Sequence, residues 1–460
     1  MSEVKFNWEE LQAIGGGEWL LEGNGDGIDG ITDDSRIVEP RMLFVAIPGD
    51  IADGHQYIVK AAQRGAASVV VSHRPSDEQL SELKSLSCGC LLVEDSLCAF
   101  QALAGAHRRR YAELPLVGVT GSCGKTSTKE MCASVLAMKY GSVVKTIGNT
   151  NNFFGAPRNL LRIDSGTGAA VIEMGSNHPG EIQRLASMVA PVTGIVCNIG
   201  AAHLEFFGDL LGVAEEKGDL LEALPADGVA IVPGEAVGLD ILKRHAGTRK
   251  LLTFGSGPDN DVQGTYLGVR PDGYGLRLKI KATGDTIEFS WPIGGAHQAV
   301  NAAGAAAVGI VHGMSLSDIA AGLQRCELPG ARMKVEMRDD VRWVNDAYNA
   351  NPSSMRASLE WFAEISRGAG RRTLVLGDML ELGEASAKEH AALLDYVAQA
   401  FADDRIITVG KAMSAPAALH GFVHYDTVSD AADALNGHFT AGDWVFLKGS
   451  NSIGLAKLVP

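Results

Sequence analysis

An apolar run, Leu116-Val-Gly-Val-Thr120, passes directly into Gly121-Ser-Cys-Gly-Lys-Thr-Ser127. No other stretch constrains the fold so tightly. A strand, a tight turn with free amides and a helix that starts at Lys-Thr are the parts needed to cradle a phosphate. Gly121 and Gly124 let the backbone turn and approach an anion. Lys125 can reach β- and γ-phosphates, and Thr126 can hold Mg²⁺. The common spacing G-x-x-x-x-G-K-[ST] wants glycine at 119, where this chain has Val119; its glycines stand at 118, 121 and 124. Only the outermost glycine is displaced. A nucleotide site is therefore expected, with Ser122, Cys123 and Ser127 completing the loop.

Around this nucleus the chain alternates strand and helix patterns, which indicates an α/β fold. Its 460 residues exceed one ordinary core. Residues 1–112 carry short strands (Met42–Ile47, Ala67–Val71) and a helix (Gln56–Arg64). The run Arg108 to Glu113 reads as a boundary, and Arg108-Arg-Arg110 as a solvated helix end. Residues 113–327 form a central block. Its helix Lys125–Met138 and apolar strands Ala169–Met174 and Val192–Cys197 imply a parallel sheet covered on both faces. From about 260 to 292 alternation with turns at Arg270–Gly273 and Thr283–Asp285 predicts antiparallel hairpins, and an Ala-rich helix follows from His297 to Val311. Residues 328–460 hold strands near Trp343–Asn345, Thr373–Leu376, Arg405–Val409 and Trp444–Leu447, a second, Rossmann-like sheet.

Composition removes some classes. The formal charge of −15 and the absence of a basic face argue against nucleic acid. There is no 18-residue apolar run and no signal-peptide pattern, so stable membrane insertion is not expected. Seven cysteines suit reduced thiols in a cytoplasmic protein. Cys88-Gly-Cys90 has no second pair for zinc. Asn24-Gly-Asp-Gly-Ile-Asp29 lacks the alternating ligands of a calcium loop and reads as a turn.

Other polar residues fall at strand ends, where open α/β sheets collect ligands. Glu173 ends an apolar strand and is a Mg²⁺-ligand candidate. His203 follows another strand, and by itself reads as a satisfied loop histidine. Lys217, in Glu-Glu-Lys on a helix, by itself reads as a surface lysine. Val344-Asn-Asp-Ala-Tyr-Asn-Ala-Asn-Pro352 is either a ligand loop or a turn with a helix cap. Leu376-Gly-Asp-Met-Leu-Glu-Leu-Gly383 and Leu447-Lys-Gly-Ser-Asn451 repeat the strand-then-glycine theme, and Lys448 and Ser450 could hold a carboxylate. Spacing alone does not join these residues.

Together these stretches resemble the ATP-dependent Mur ligases of peptidoglycan synthesis. In that family the loop runs G-x-x-G-K-[ST], which accounts for Val119. Three stretches resemble the branch that joins D-alanyl-D-alanine to UDP-N-acetylmuramoyl-tripeptide. They are Gly148-Asn-Thr-Asn-Asn152 with Gly155-Ala-Pro157, Asp346–Pro352, and Gly377–Gly383. The resemblance implies roles. Glu173, His203 and a CO₂-derived carbamate on Lys217 would hold a second Mg²⁺, two ions in all with the one on Thr126. His297 and Asn301 would lie on the adenine side of ATP. Arg332 and Asp346 would reach ATP from the last domain. Ser35, Arg36, Pro48, Gly49, Asp53, His55, Asn149, Asn151 and Asn152 would face the UDP substrate. Tyr348, Asn349, Asn351, Lys448 and Ser450 would lie on the dipeptide side. The chain departs from the family at Gln298, Phe153-Phe154 and Asn451. A monomer is expected. Three other readings use the same residues: a ligase of this family with another amino-acid acceptor, a phosphotransferase or nucleotide switch, and a non-catalytic nucleotide-binding module.

Overall fold

A computed structural model of the protein describes residues 4–49, 52–435 and 437–460. Three sheets organise them, one in each of three α/β domains. The N-terminal sheet has five strands in the order Glu18–Leu21, Gly89–Leu92, Ser68–Val71, Leu43–Val45, Ile31–Thr32; only the first edge strand is antiparallel.

The central sheet has nine strands. Its parallel part runs Val262–Arg270, Lys250–Gly255, Val229–Pro233, Thr193–Val196, Leu116–Thr120, Ala169–Glu173, Val143–Lys145. Gly273–Ile280 and Thr286–Trp291 extend it as antiparallel hairpins. The five residues of the strand Leu116–Thr120 are all buried, as are those of Ala169–Glu173. This is the near-continuous apolar pattern of strands covered on both faces. The phosphate-loop strand lies between those ending at Glu173 and Val196, so three carboxyl ends open onto one crevice.

Two of the glycines serve this packing rather than the loop. Gly118 and Gly194 are register partners. A Cβ on either would meet Leu220, at 2.9 Å from Gly118 and 3.2 Å from Gly194. The helix Leu210–Glu222 thus lies close against the sheet. Val213, Ala214, Leu220 and Leu221 form its buried stripe.

The C-terminal sheet runs Lys334–Arg338, Val341–Asn345, Trp444–Lys448, Arg372–Gly377, Arg405–Val409, Val423–Tyr425, parallel except at its first edge. The sequence reading missed that edge strand. Lys334-Val-Glu-Met-Arg338 does alternate, but over five residues only, and its apolar members Val335 and Met337 stay exposed rather than joining the core. Its turn is Asp339-Asp340, both at positive φ, a conformation usually announced by Asn-Gly or Asp-Gly.

Side chains join the units. Arg158 makes a two-pronged pair with Asp33, at 2.6 and 2.8 Å. Arg184 bonds Gln101 at 2.6 Å. The expectation of a solvated helix end at 108–110 is corrected at its first residue. Arg108 is 2% exposed, and its guanidinium donates to the carbonyls of Tyr111, Leu114, Val189 and Ala190. It docks the helix Ser96–Arg109 onto the central domain. Arg109 and Arg110 behave differently: Arg109 is exposed, and Arg110 pairs at the surface with Glu10 at 2.8 Å. Truncation of Arg108 strands several buried carbonyls at once. Arg108→Ala is expected to lose about 2–4 kcal/mol of stability against less than ~0.5 kcal/mol for Arg109→Ala, read from urea-unfolding midpoints.

Candidate active site

The phosphate loop is built as its sequence predicts. Gly121 and Gly124 take φ of 144° and 77°, and the helix Lys125–Tyr140 begins on the second. The helix's first amides have no intrahelical acceptor and face the crevice, the usual seat of an anion. The loop is braced from the next strand end. Asn198 accepts from the Cys123 amide at 2.8 Å, and Ser122 exchanges hydrogen bonds with Gly200. A Cβ at Gly124 would lie 2.8 Å from the Asn301 side chain, so Asn301 sits directly behind the loop. The Lys125 ammonium donates to the Gly121 carbonyl at 2.8 Å.

Glu173 is 1% exposed beside the loop. One carboxylate oxygen accepts from Asn151 at 2.8 Å and from Thr126 at 3.3 Å. Its other oxygen is buried and has no hydrogen-bond partner among the described residues. A buried carboxylate oxygen left bare is costly. A divalent cation there would satisfy it, with Thr126 supplying a hydroxyl beside it. The residues present therefore fit Mg²⁺, which favours oxygen ligands.

Lys217 corrects the surface reading. It is 2% exposed, and its ammonium donates to Ser176 at 2.6 Å. Among the described residues no carboxylate is paired with it. Burial, reinforced by the charge of Lys125, pulls its amine from the usual lysine range down to about 7. Its neighbour Glu216 points elsewhere and caps the start of the helix Glu181–Val189 through the amides of Gly180 and Ile182. Burial and the charges of Lys125 and Lys217 likewise lower His203 to about 4, so its ring is neutral at pH 7. Its 3.1 Å contact with Glu381 is then a polar contact of a neutral imidazole rather than an ion pair.

The C-terminal domain reaches this crevice. Arg332 stacks on Tyr348 with its guanidinium carbon 3.6 Å from the ring centroid, and donates to Thr126 at 3.3 Å. Asp346 is expected to reach ATP, but the structure engages both its oxygens inside its own domain. One accepts from the Met333 amide at 3.0 Å; the other accepts from Ser358 and Lys448, each at 2.6 Å. Lys448 does hold a carboxylate, but Asp346's, and it also donates to the Asn349 carbonyl at 3.0 Å. Asn351 caps the helix Pro352–Ile365 through the Ser354 amide, the other reading of that stretch. Ser450 accepts from the Leu380 amide at 3.0 Å. A cavity of about 700 Å³, lined in part by Tyr274, Arg332, Asn345 and Trp361, opens between the central and C-terminal domains. His297 is half-buried and, by burial, lowered to about 4.

The N-terminal residues form a separate group. His55 is held by Asp53 at 2.6 Å and by the Ser72 amide at 2.9 Å, with its ring stacked on His73. Ser35 is buried; Pro48 and Gly49 are exposed, and so is Arg36, which pairs with Asp34 and holds that carboxyl down to about 2. Of the asparagines expected to face UDP, Asn149 is exposed, Asn152 caps the Gly155 amide, and Asn151 is brought to Glu173 instead. Ser176, Asn198 and Glu216 escaped the sequence reading. Lys217 did carry a signal, since it stands four residues after Val213 and three before Leu220, on the apolar stripe.

A neutral His203 has a consequence for stability. Between about pH 4 and its ordinary 6.5, the unfolded chain binds the proton that the folded ring refuses. Stability must therefore rise with pH across that window. His203→Asn is expected to reduce the slope by up to one proton, measured as unfolding free energy against pH, with His297 supplying a similar part that the variant leaves intact.

Three family models match successive parts of the chain: the Mur ligase family catalytic domain over residues 27–106, the Mur ligase middle domain over 119–309, and the Mur ligase glutamate ligase domain over 331–451. The UDP-N-acetylmuramoyl-tripeptide–D-alanyl-D-alanine ligase of Bacillus subtilis is 34% identical, over 94% of this chain and 92% of its own length. The crystal structure of MurF from Acinetobacter baumannii superposes with a TM-score of 0.87 at 30% identity, covering 99% of this chain and 98% of that one. MurF ligase from Thermotoga maritima, solved in complex with ADP, superposes with a TM-score of 0.79 at 26% identity, over 94% of this chain and 96% of that one. The three matches follow one another along most of the chain, the relatives cover nearly all of it, and the chain belongs to the Mur ligase family.

Proposed function

We propose that this chain uses ATP to join D-alanyl-D-alanine to UDP-N-acetylmuramoyl-tripeptide, giving the pentapeptide precursor of peptidoglycan with ADP and phosphate. The observation that carries the reading is Glu173 with its bare oxygen at a strand end, held by Thr126 of the phosphate loop next to Lys125, with buried Lys217 on the helix packed against that sheet. The D-alanyl-D-alanine acceptor rests on similarity to relatives of that name over most of the chain.

A carboxylate is a poor electrophile, so one of its oxygens must first become a leaving group. The tripeptide's terminal carboxylate attacks the γ-phosphorus of ATP, ADP departs, and an acyl phosphate forms. The dipeptide amine then attacks the acyl carbon, loses a proton, and phosphate leaves with the carboxylate oxygen. The obstacle in the first step is approach of anion to anion. Lys125 moves from the Gly121 carbonyl to the phosphates, and the helix amides hold them. Arg332, already on Thr126, adds positive charge from the C-terminal side. Thr126 would hold one Mg²⁺, and Glu173, His203 and a carbamate on Lys217 a second, and the ions would supply further neutralisation of phosphate charge. With its ammonium lowered toward neutrality, Lys217 can lose one proton to become a free amine and a second on adding CO₂, so that a cation becomes an anionic carbamate ligand. Asn151 orients Glu173, and Ser176 orients Lys217.

In this reading residues 1–112 take the uridine nucleotide, 113–327 hold ATP, and 328–460 close over both with Tyr348 and Asn349 near the dipeptide. Asp346 and Lys448 act there by positioning, since each already holds the other.

Phosphate release from ATP should require the tripeptide nucleotide and D-alanyl-D-alanine together, with a product heavier by one dipeptide. Release without the dipeptide would favour the phosphotransferase reading. Lys125→Ala should slow turnover by about 10³-fold or more, and near-normal turnover would refute its role. Protein equilibrated with ¹³C-labelled bicarbonate should give one carbamate carbon signal that Lys217→Ala removes; an unchanged spectrum would place that modification elsewhere.

A further inference from the structure

The helix that presents Lys217 to the active site has a second polar face. Glu215, Asp219 and Glu222 follow one another at i, i+4 and i+7, and so line one side. His245, on the helix Leu239–Ala246, is laid against that side. Its side chain is 10% exposed, and its ring occupies a gap that exists because residue 218 is glycine: a Cβ there would lie 2.6 Å from the ring.

The two ring nitrogens are treated differently. Nε2 lies 2.8 Å from a Glu215 oxygen, and Glu215 is itself held by Arg244. This fixes the proton on Nε2. Nδ1 is buried with no hydrogen-bond partner among the described residues, yet it faces Glu222 at 3.2 Å and Asp219 at 3.8 Å. With Nδ1 unprotonated its lone pair would be turned toward two carboxylates, a repulsion that a proton or a cation between them relieves. The donor atoms of Asp219, Glu222 and His245 all fall within 4.8 Å of one another. Tetrahedral ligands at about 2.0–2.1 Å from zinc stand ~3.3 Å apart, against 3.2 and 3.8 Å from Nδ1 to the two carboxylates. A histidine that donates its other N–H to a carboxylate is the usual support of a metal ligand.

We propose that Asp219, Glu222 and His245 form a site for a borderline divalent cation of the Zn²⁺ class, separate from the nucleotide crevice. The mixed nitrogen and oxygen donors suit such an ion better than Mg²⁺. Glu222 is 68% exposed, which leaves an open approach and room for a water as fourth ligand. The ion would staple the helix Leu210–Glu222 to Leu239–Ala246, and so brace from behind the helix that carries Lys217.

The test is Zn²⁺ titration of the whole protein, in a large excess of Mg²⁺ to occupy the nucleotide crevice, against a chromophoric chelator. Wild type should bind one equivalent more than His245→Gln. Glu215→Gln should keep the site and weaken it by about 10- to 100-fold. Glu222→Gln, a change at an exposed side chain, should also weaken it while ATP-dependent turnover shows that the fold is kept. In ¹⁵N spectra the His245 Nδ1 resonance should shift on Zn²⁺ addition. Equal Zn²⁺ uptake by wild type, His245→Gln and Glu222→Gln would overturn the proposal. So would a His245 ring protonated on both nitrogens and unmoved by Zn²⁺, which would make a proton the positive charge in the gap.

Discussion

The site depends on a carboxylate held dry at the end of a buried strand. Glu173 is placed by the register of its strand beside Leu116–Thr120, so its height in the crevice follows from sheet geometry. Asn151 and Thr126 hold one oxygen and leave the other bare. A bare buried carboxylate oxygen in a domain that also buries a lysine with no carboxylate paired to it among the described residues is an arrangement a folded protein should avoid. It is tolerable if cations and anions come and go there. The same buried charges that make the crevice costly to fold are the ones that the proposed function uses.

Packing sets the rest. Because Gly118 and Gly194 carry no side chain, the helix Leu210–Glu222 approaches the sheet closely enough to deliver Lys217 into the crevice from the side. The same helix turns its acidic face toward His245. The outer domains are tied to the central one by directional contacts, Arg158 with Asp33 on one side and Arg332 with Thr126 on the other. These are polar and partly exposed, the kind of contact that can break and reform as substrates enter.

How far the sequence reveals this depends on distance along the chain. The phosphate loop is legible because strand, turn and helix lie within about a dozen residues and each part has its own local chemistry. Glu173 is legible from a general rule about strand ends. Lys217 is obscured because Glu215, Glu216 and Asp219 surround it and suggest a solvated face; its place on the stripe of Val213 and Leu220 is the better guide. Asp346 and Lys448 are 102 residues apart, and nothing local says that each is the other's partner. Arg108 looks like one of three equivalent arginines until the carbonyls of Val189 and Ala190, some eighty residues away, are brought to it. The edge strand Lys334–Arg338 is held by its hairpin partner rather than by burial, so its only local signal is the short alternation of Val335 and Met337 with charged residues.

The central claim is that the carboxylate of the tripeptide is itself phosphorylated before the amide forms. Tripeptide nucleotide labelled with ¹⁸O in its terminal carboxylate tests this directly. After one turnover with ATP and D-alanyl-D-alanine, the account predicts one ¹⁸O atom in the released phosphate and one in the new amide. Phosphate free of ¹⁸O, formed alongside the amide product, would show that water or another group accepted the phosphoryl group, and would contradict it.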